Sequence, residues 1–213
     1  MTPLPPLAAD PAAQPAQTAR VANIANALTL LRLLLVPVFV VLFLTGGGHA
    51  SGWRVWAFVT FAVATITDLV DGDLARSRGL VTDVGKVADP IADKALTGAA
   101  LIGLSSVGDL SWWATVVILV RELGVTGLRF FVIRHGVIPA SRGGKLKTLL
   151  QNIAIGLYVL PLSGPAASAR FWLMAAAVVV TVVTGGDYVA RALTLRRTSE
   201  RAAMKRARRA ARQ

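Results

Sequence analysis

The sequence predicts an all-α integral membrane protein: a six-transmembrane-helix bundle with both termini on the cytoplasmic side. Three observations predict it. Of 213 residues, 54% are hydrophobic and only 16% charged, and the mean hydropathy is +0.61, a balance typical of chains rich in membrane helices. The apolar residues fall into six runs of roughly 15 to 25 residues, a length suited to the hydrocarbon core of a bilayer. The basic residues alternate between connections. Those after runs one, three and five (45–52, 105–111 and 163–169) hold no Lys or Arg, although Arg54 and Arg170 lie just beyond two of them. Those after runs two and four carry Arg76, Arg78 and Lys86, then Arg134, Arg142, Lys145 and Lys147. The positive-inside rule then puts the second group and both chain ends in the cytoplasm.

In chain order, residues 1–22 are rich in Pro and Ala, lack the basic and apolar regions of a signal peptide, and read as a disordered tail. The membrane domain covers residues 23–196. NIANALTLLR (23–32) leads into run one, which ends near Leu44, and TGGGHASG is the turn after it. Run two, Trp53 to Val70, delivers the chain to an acidic stretch. Run three is expected to open at Asp89-Pro90, since Asp caps a helix and Pro suits its first turn. Run four, Trp112 to Ile133, is interrupted by Arg121, Glu122 and Arg129. Run five covers about Thr148 to Leu162, and run six Phe171 to about Leu195, with Asp187 and Arg191 spaced for an ion pair or an acceptor contact. Residues 197–213 form a basic tail, expected as a helix lying on the membrane surface. Trp53, Trp56, Trp112, Trp113 and Trp172 fall near the outer boundaries, as an interfacial belt.

Composition excludes several functions. No cysteine is present, so disulfides, thiolate zinc sites and cysteine nucleophiles are ruled out. The net charge of +12 comes from bases at the ends of apolar runs and in the tail, a distribution that suits anionic lipid headgroups and not nucleic acid.

The stretch DLVDGDLARSRGLVTDVGKVADPIAD (68–93) holds six of the eleven acidic residues, and ionisable groups among membrane segments are functional by default. Asp68 and Asp71 are three apart at the end of run two; Asp89 and Asp93 are four apart at the start of run three. Each pair therefore shares a helix face, and two neighbouring helices can present carboxylates across one gap. Such charges repel unless a cation neutralises them. Oxygen donors without His or Cys favour Mg²⁺ or Mn²⁺, and two metals bridged by carboxylates suit displacement at phosphorus. Gly72 and Gly85 fit where backbone approaches a ligand closely, and Arg76 is placed for a phosphate contact.

Asp68, Asp71, Gly72, Ala75, Arg76, Gly85, Asp89 and Asp93 match every fixed position of the signature of the CDP-alcohol phosphatidyltransferase family, which this chain therefore resembles. The resemblance implies a membrane-embedded six-helix enzyme that transfers a phosphatidyl-type group from a CDP-linked lipid to an alcohol and releases CMP. It implies metal ligation by Asp68, Asp71, Asp89 and Asp93 in a two-metal site, with Asp93 also the proton acceptor. Gly72, Ala75, Arg76 and Gly85 would line the CDP-lipid pocket. NIANALTLLR is similar to the family's N-terminal element, with Ala25 where Pro is usual, and implies that Asn26, Thr29 and Arg32 help hold the diphosphate. Asp73 and Asp83 fall outside the signature.

RELGVTGLRFF (121–131) and GVIPASRGGKLKTLLQ (136–151) are similar to the phosphatidylglycerophosphate synthase branch. Arg121, Arg129, Lys145 and Lys147 would bind an acceptor's phosphate, Arg by bidentate contact, with Glu122 holding one of the arginines. The expected substrates are CDP-diacylglycerol and glycerol 3-phosphate, and the expected products phosphatidylglycerol phosphate and CMP. Membrane lipids are the expected surroundings, and the resemblance implies a homodimer as the common state. Two rivals stand beside this reading: the same reaction with another acceptor such as inositol phosphate, and a divalent-cation transporter. Transporters carry midplane acids and repeated halves, whereas these acids sit at one rim and no repeat is visible.

Overall fold

The computed structural model describes residues 24–78, 83–132 and 142–210, with side chains described at 27–69, 90–128, 143–144 and 146–195. The expected N-terminal tail and most of the connection holding His135 lie outside the described residues, as do the side chains of the C-terminal tail. Among the described residues there is no strand. Six α-helices follow one another: α1 (Ile24–Leu44), α2 (Ser51–Arg78), α3 (Asp83–Ser106), α4 (Trp112–Val132), α5 (Arg142–Val159) and α6 (Pro165–Ala210), with a 3-10 turn at Thr45–Gly48. Two segments, Ala27–Gly48 and Pro165–Leu195, are long and apolar enough to cross a membrane by length and composition.

Each helix buries one stripe. On α1 it runs through Thr29, Arg32, Phe39 and Phe43, and on α2 through Arg54, Ala57, Phe61 and Ala64. On α3, Ala92, Leu96, Ala100 and Leu104 follow at four-residue intervals; on α5, Lys147, Gln151, Ile155 and Val159 do the same. Spacings of three and four keep side chains on one helical face, so each stripe meets its neighbours. α1 packs on α2 and α3, α6 packs on α5 and α4, and contacts of α5 with α2 and α3 join the two groups. The core centres on Phe39, Phe43, Phe61, Leu101, Leu104, Ile118 and Ile155. The opposite faces carry exposed Leu, Val, Ile and Trp on every helix, the inverse of a water-soluble surface and the pattern expected in lipid.

The turns after α1, α3 and α5 meet at one end of the bundle. Gly48, at φ +77°, lies so close to Val107 that an added Cβ would stand 2.5 Å from the valine Cγ1. Arg54 is buried there, ion-paired with Asp109, donating to the Tyr158 carbonyl at 3.4 Å and lying over the Phe43 ring. Arg170 covers the Tyr158 ring. All five tryptophans are exposed near the N-terminal ends of α2, α4 and α6, at this same end.

Three helix boundaries differ from the ends of the apolar runs. α3 opens at Asp83, so Pro90 lies inside the helix and not at its start; the proline removes one backbone donor, and the helix continues through it. α5 opens at Arg142, six residues before the apolar run. The tail is helical as expected, and it is continuous with run six: α6 runs without a break to Ala210, and its 46 residues span about 69 Å at 1.5 Å each.

Candidate active site

The helix ends away from the tryptophans carry the polar side chains. α1 brings Arg32, only 1% exposed, and its Nη1 lies 2.8 Å from Asp68 Oδ1 on α2. Thr29, one turn before Arg32, is also buried. The N-terminal element and the acidic stretch, 36 residues apart in sequence, are thus joined directly. An ion pair with a carboxylate is how a buried guanidinium is tolerated.

α3 continues the site. Asp93 and Thr97 stand four apart on the stripe beside the buried Ala92, Leu96 and Ala100, so the packing that fixes α3 also aims Asp93. The charges acting on it come from Asp68 on α2, Lys94 beside it, Glu122 on α4 and Lys147 on α5. Four helices therefore converge electrostatically on one carboxylate. Asp93 opens into a cleft lined by Lys94 and Thr97 of α3, Glu122 of α4, and Lys147, Thr148 and Gln151 of α5.

The cationic wall is organised by Glu122. Its Oε1 accepts from Lys147 Nζ and from Arg121 Nη1 at 3.2 Å. Arg121 also donates to Thr184 Oγ1 on α6 at 3.2 Å. Its Cγ lies 3.0 Å from where a Cβ on Gly185 would stand, so that glycine makes room for it. Lys147 lines the cleft with Asp93, whereas Arg121 reaches past Glu122 towards α6 and is not part of the lining. Asp187 and Arg191 form an ion pair at 2.9 Å with both side chains about half exposed.

Of the residues singled out by sequence, the structure brings together Thr29, Arg32 and Asp68 on one side, and Asp93, Arg121 and Lys147 on the other. The side chains of Asn26, Asp71, Gly72, Ala75, Arg76, Gly85, Asp89, Arg129 and Lys145 lie outside the described residues. Accordingly, among the described residues no three metal-ligating side chains cluster. Of the four carboxylates expected to hold metal, Asp68 and Asp93 have described side chains; both offer the hard oxygen donors that suit a divalent cation, and Asp68 is also engaged by Arg32. Sequence reading missed Gln151 and Thr97 as cleft residues. Their signal was available in the four-residue spacing from Lys147 and Asp93.

The fold and site define a class, an all-helical bundle with apolar outer faces and a charged cleft at one end. The chain belongs to the CDP-alcohol phosphatidyltransferase family, whose model matches residues 22–183. It is 63% identical over 161 residues to a Mycobacterium tuberculosis protein named "probable phosphatidylglycerophosphate synthase", covering 76% of this chain and 77% of the relative. It is 37% identical over 175 residues to the Bacillus subtilis CDP-diacylglycerol–glycerol-3-phosphate 3-phosphatidyltransferase, covering 75% and 89%. With the Rickettsia typhi protein of that same name it shares 36% identity over 164 residues, covering 73% and 89%.

Proposed function

We propose that this chain transfers the phosphatidyl group of CDP-diacylglycerol to glycerol 3-phosphate, giving phosphatidylglycerol phosphate and CMP. The observation that carries the reading is one cleft holding a carboxylate, Asp93, and a buried cation, Lys147, in a chain whose relatives bear that activity in their names.

Asp93 takes the proton of the acceptor's primary hydroxyl. That oxygen forms a bond to the lipid-side phosphorus while the bond from this phosphorus to the bridging oxygen breaks. CMP leaves with the bridging oxygen, and Asp93 later releases its proton to water. Lys147, Arg129 and Lys145 bind the acceptor's phosphate, with Arg121 adding its charge from behind Glu122, and placing the phosphate beside the base contributes through proximity. Asn26, Thr29, Arg32, Gly72, Ala75, Arg76 and Gly85 hold the CDP-lipid. Asp68, Asp71, Asp89 and Asp93 would hold Mg²⁺ or Mn²⁺ as a two-metal site, which when bound supplies charge neutralisation for the diphosphate and the leaving group. The helices act as one six-span catalytic domain, residues 23–196, with the cleft and both termini facing the cytoplasm of a bacterial cell membrane. The acyl chains lie against the apolar outer faces, so the lipid substrate stays in the bilayer.

The test uses purified protein with CDP-diacylglycerol, Mg²⁺ or Mn²⁺, and each acceptor separately. Expected are phosphatidylglycerol phosphate and stoichiometric CMP with glycerol 3-phosphate, none after chelation of the metal, and none from Asp93→Asn. Product from inositol phosphate alone would overturn the acceptor assignment. CMP release that survives Asp93→Asn would remove Asp93 as the base, and absence of CMP release under every condition would sink the transferase reading.

A further inference from the structure

Gln151 follows Lys147 by one turn on α5. It is 2% exposed, lines the cleft that holds Asp93, and its Oε1 has no hydrogen-bond partner among the described residues. A buried acceptor left without a donor is destabilising, and its place beside the cleft makes a donor on the substrate its natural partner. Two of the neighbouring polar groups are already engaged: Thr148 donates to the Gly144 carbonyl at 3.1 Å, and Glu122 accepts from Arg121 and Lys147. The Lys147 ammonium has three donors, of which Glu122 uses one. Cβ atoms four apart on a helix are about 5–6 Å from each other. That separation suits a short polyol phosphate whose phosphate meets Lys147 and whose middle hydroxyl donates to Gln151.

We propose that Gln151 is a specificity-determining residue that accepts a hydrogen bond from the secondary hydroxyl of the acceptor. The inference rests on the glycerol 3-phosphate transferase reading and assigns the choice of acceptor to a neutral amide as well as to the cations. A site built to bond a hydroxyl rejects the analogue lacking it far more strongly than an apolar pocket does.

The experiment compares kcat/KM for glycerol 3-phosphate and for 3-hydroxypropyl phosphate, which lacks only the secondary hydroxyl. The unsubstituted protein is expected to prefer glycerol 3-phosphate by on the order of a hundredfold or more. In Gln151→Met, of similar length but without an acceptor oxygen, that ratio is expected to collapse to about threefold or less, the hydrogen bond being gone. Gln151→Glu, which retains acceptor oxygens, is expected to keep the preference. Because each ratio is measured within one protein, a general loss of folded enzyme cancels. An unchanged ratio in Gln151→Met overturns the proposal, as does a ratio near one in the unsubstituted protein. Should Gln151→Met be inactive with both acceptors, Gln151→Glu decides: a kept preference supports the role and a lost one removes it. A protein that uses neither acceptor refutes the transferase reading itself, an outcome distinct from loss of selectivity.

Discussion

Glu122 is the residue on which the cationic wall depends. It is 15% exposed, and its two partners, Lys147 at 3% and Arg121 at 16%, come from α5 and from its own helix. Two buried cations would repel each other without it. Breaking a buried pair by removing one partner strands the other charge, at about 3–5 kcal/mol. Glu122→Gln and Lys147→Met are each expected to lower the midpoint of thermal unfolding in detergent. The double variant strands no charge at this pair, so it should be less destabilised than the two losses added, with a coupling of about 0.5–3 kcal/mol. Additive losses would mean the pair is dispensable. The sequence placed Glu122 next to Arg121, and that half of the arrangement was legible. Lys147, 25 residues away, could be recognised as a cation but not as this carboxylate's partner, because pairing across helices depends on their rotation.

At the scale of the elements, the buried stripe of each helix changes character along its length. α1 passes from Phe43 and Phe39 to Arg32 and Thr29, and α5 from Val159 and Ile155 to Gln151 and Lys147. One packing seam thus serves as core at one end and as candidate site at the other. The six helices were readable as apolar runs, yet their ends were not: hydropathy marks what tolerates hydrocarbon, whereas charged turns beyond it remain helical at Arg78, Asp83 and Arg142. The turn after α1 is the opposite case, where three consecutive glycines announce the geometry. Gly47 and Gly48 both have positive φ, but only a Cβ on Gly48 would meet a neighbour, Val107 at 2.5 Å. Gly47→Ala is therefore expected to lose about 1–2 kcal/mol, the left-handed penalty alone. Gly48→Ala should unfold at a lower temperature than Gly47→Ala, and adding Val107→Ala should recover only part of that difference, since the valine's own packing is lost. Equal midpoints for the two glycine variants would show that Val107 yields without cost.

Across the whole molecule the two ends differ in chemistry, and orientation follows from that difference. The end marked by the tryptophans has its one deeply buried arginine, Arg54, neutralised by Asp109, so the arginine that adjoins this connection in sequence is held as part of the packing. The other end carries the basic connections, with 23 Lys and Arg against 11 acids in the chain as a whole. Translocating connections rich in Lys and Arg is what the positive-inside bias opposes, which predicts the tryptophan end outside and the Asp93 cleft towards the cytoplasm. The sequence contains no cysteine, so single-cysteine variants report without background. Ser51→Cys, Ser106→Cys and Ser163→Cys, all exposed at the tryptophan end, are expected to react with a membrane-impermeant maleimide in intact cells. Ser141→Cys, in the basic connection before α5, is expected to react only after permeabilisation. The reverse pattern would put the cleft on the side away from cytoplasmic glycerol 3-phosphate and overturn the proposed reaction along with the orientation. Labelling of all four positions in intact cells would show instead that the bundle does not seal the two ends from each other.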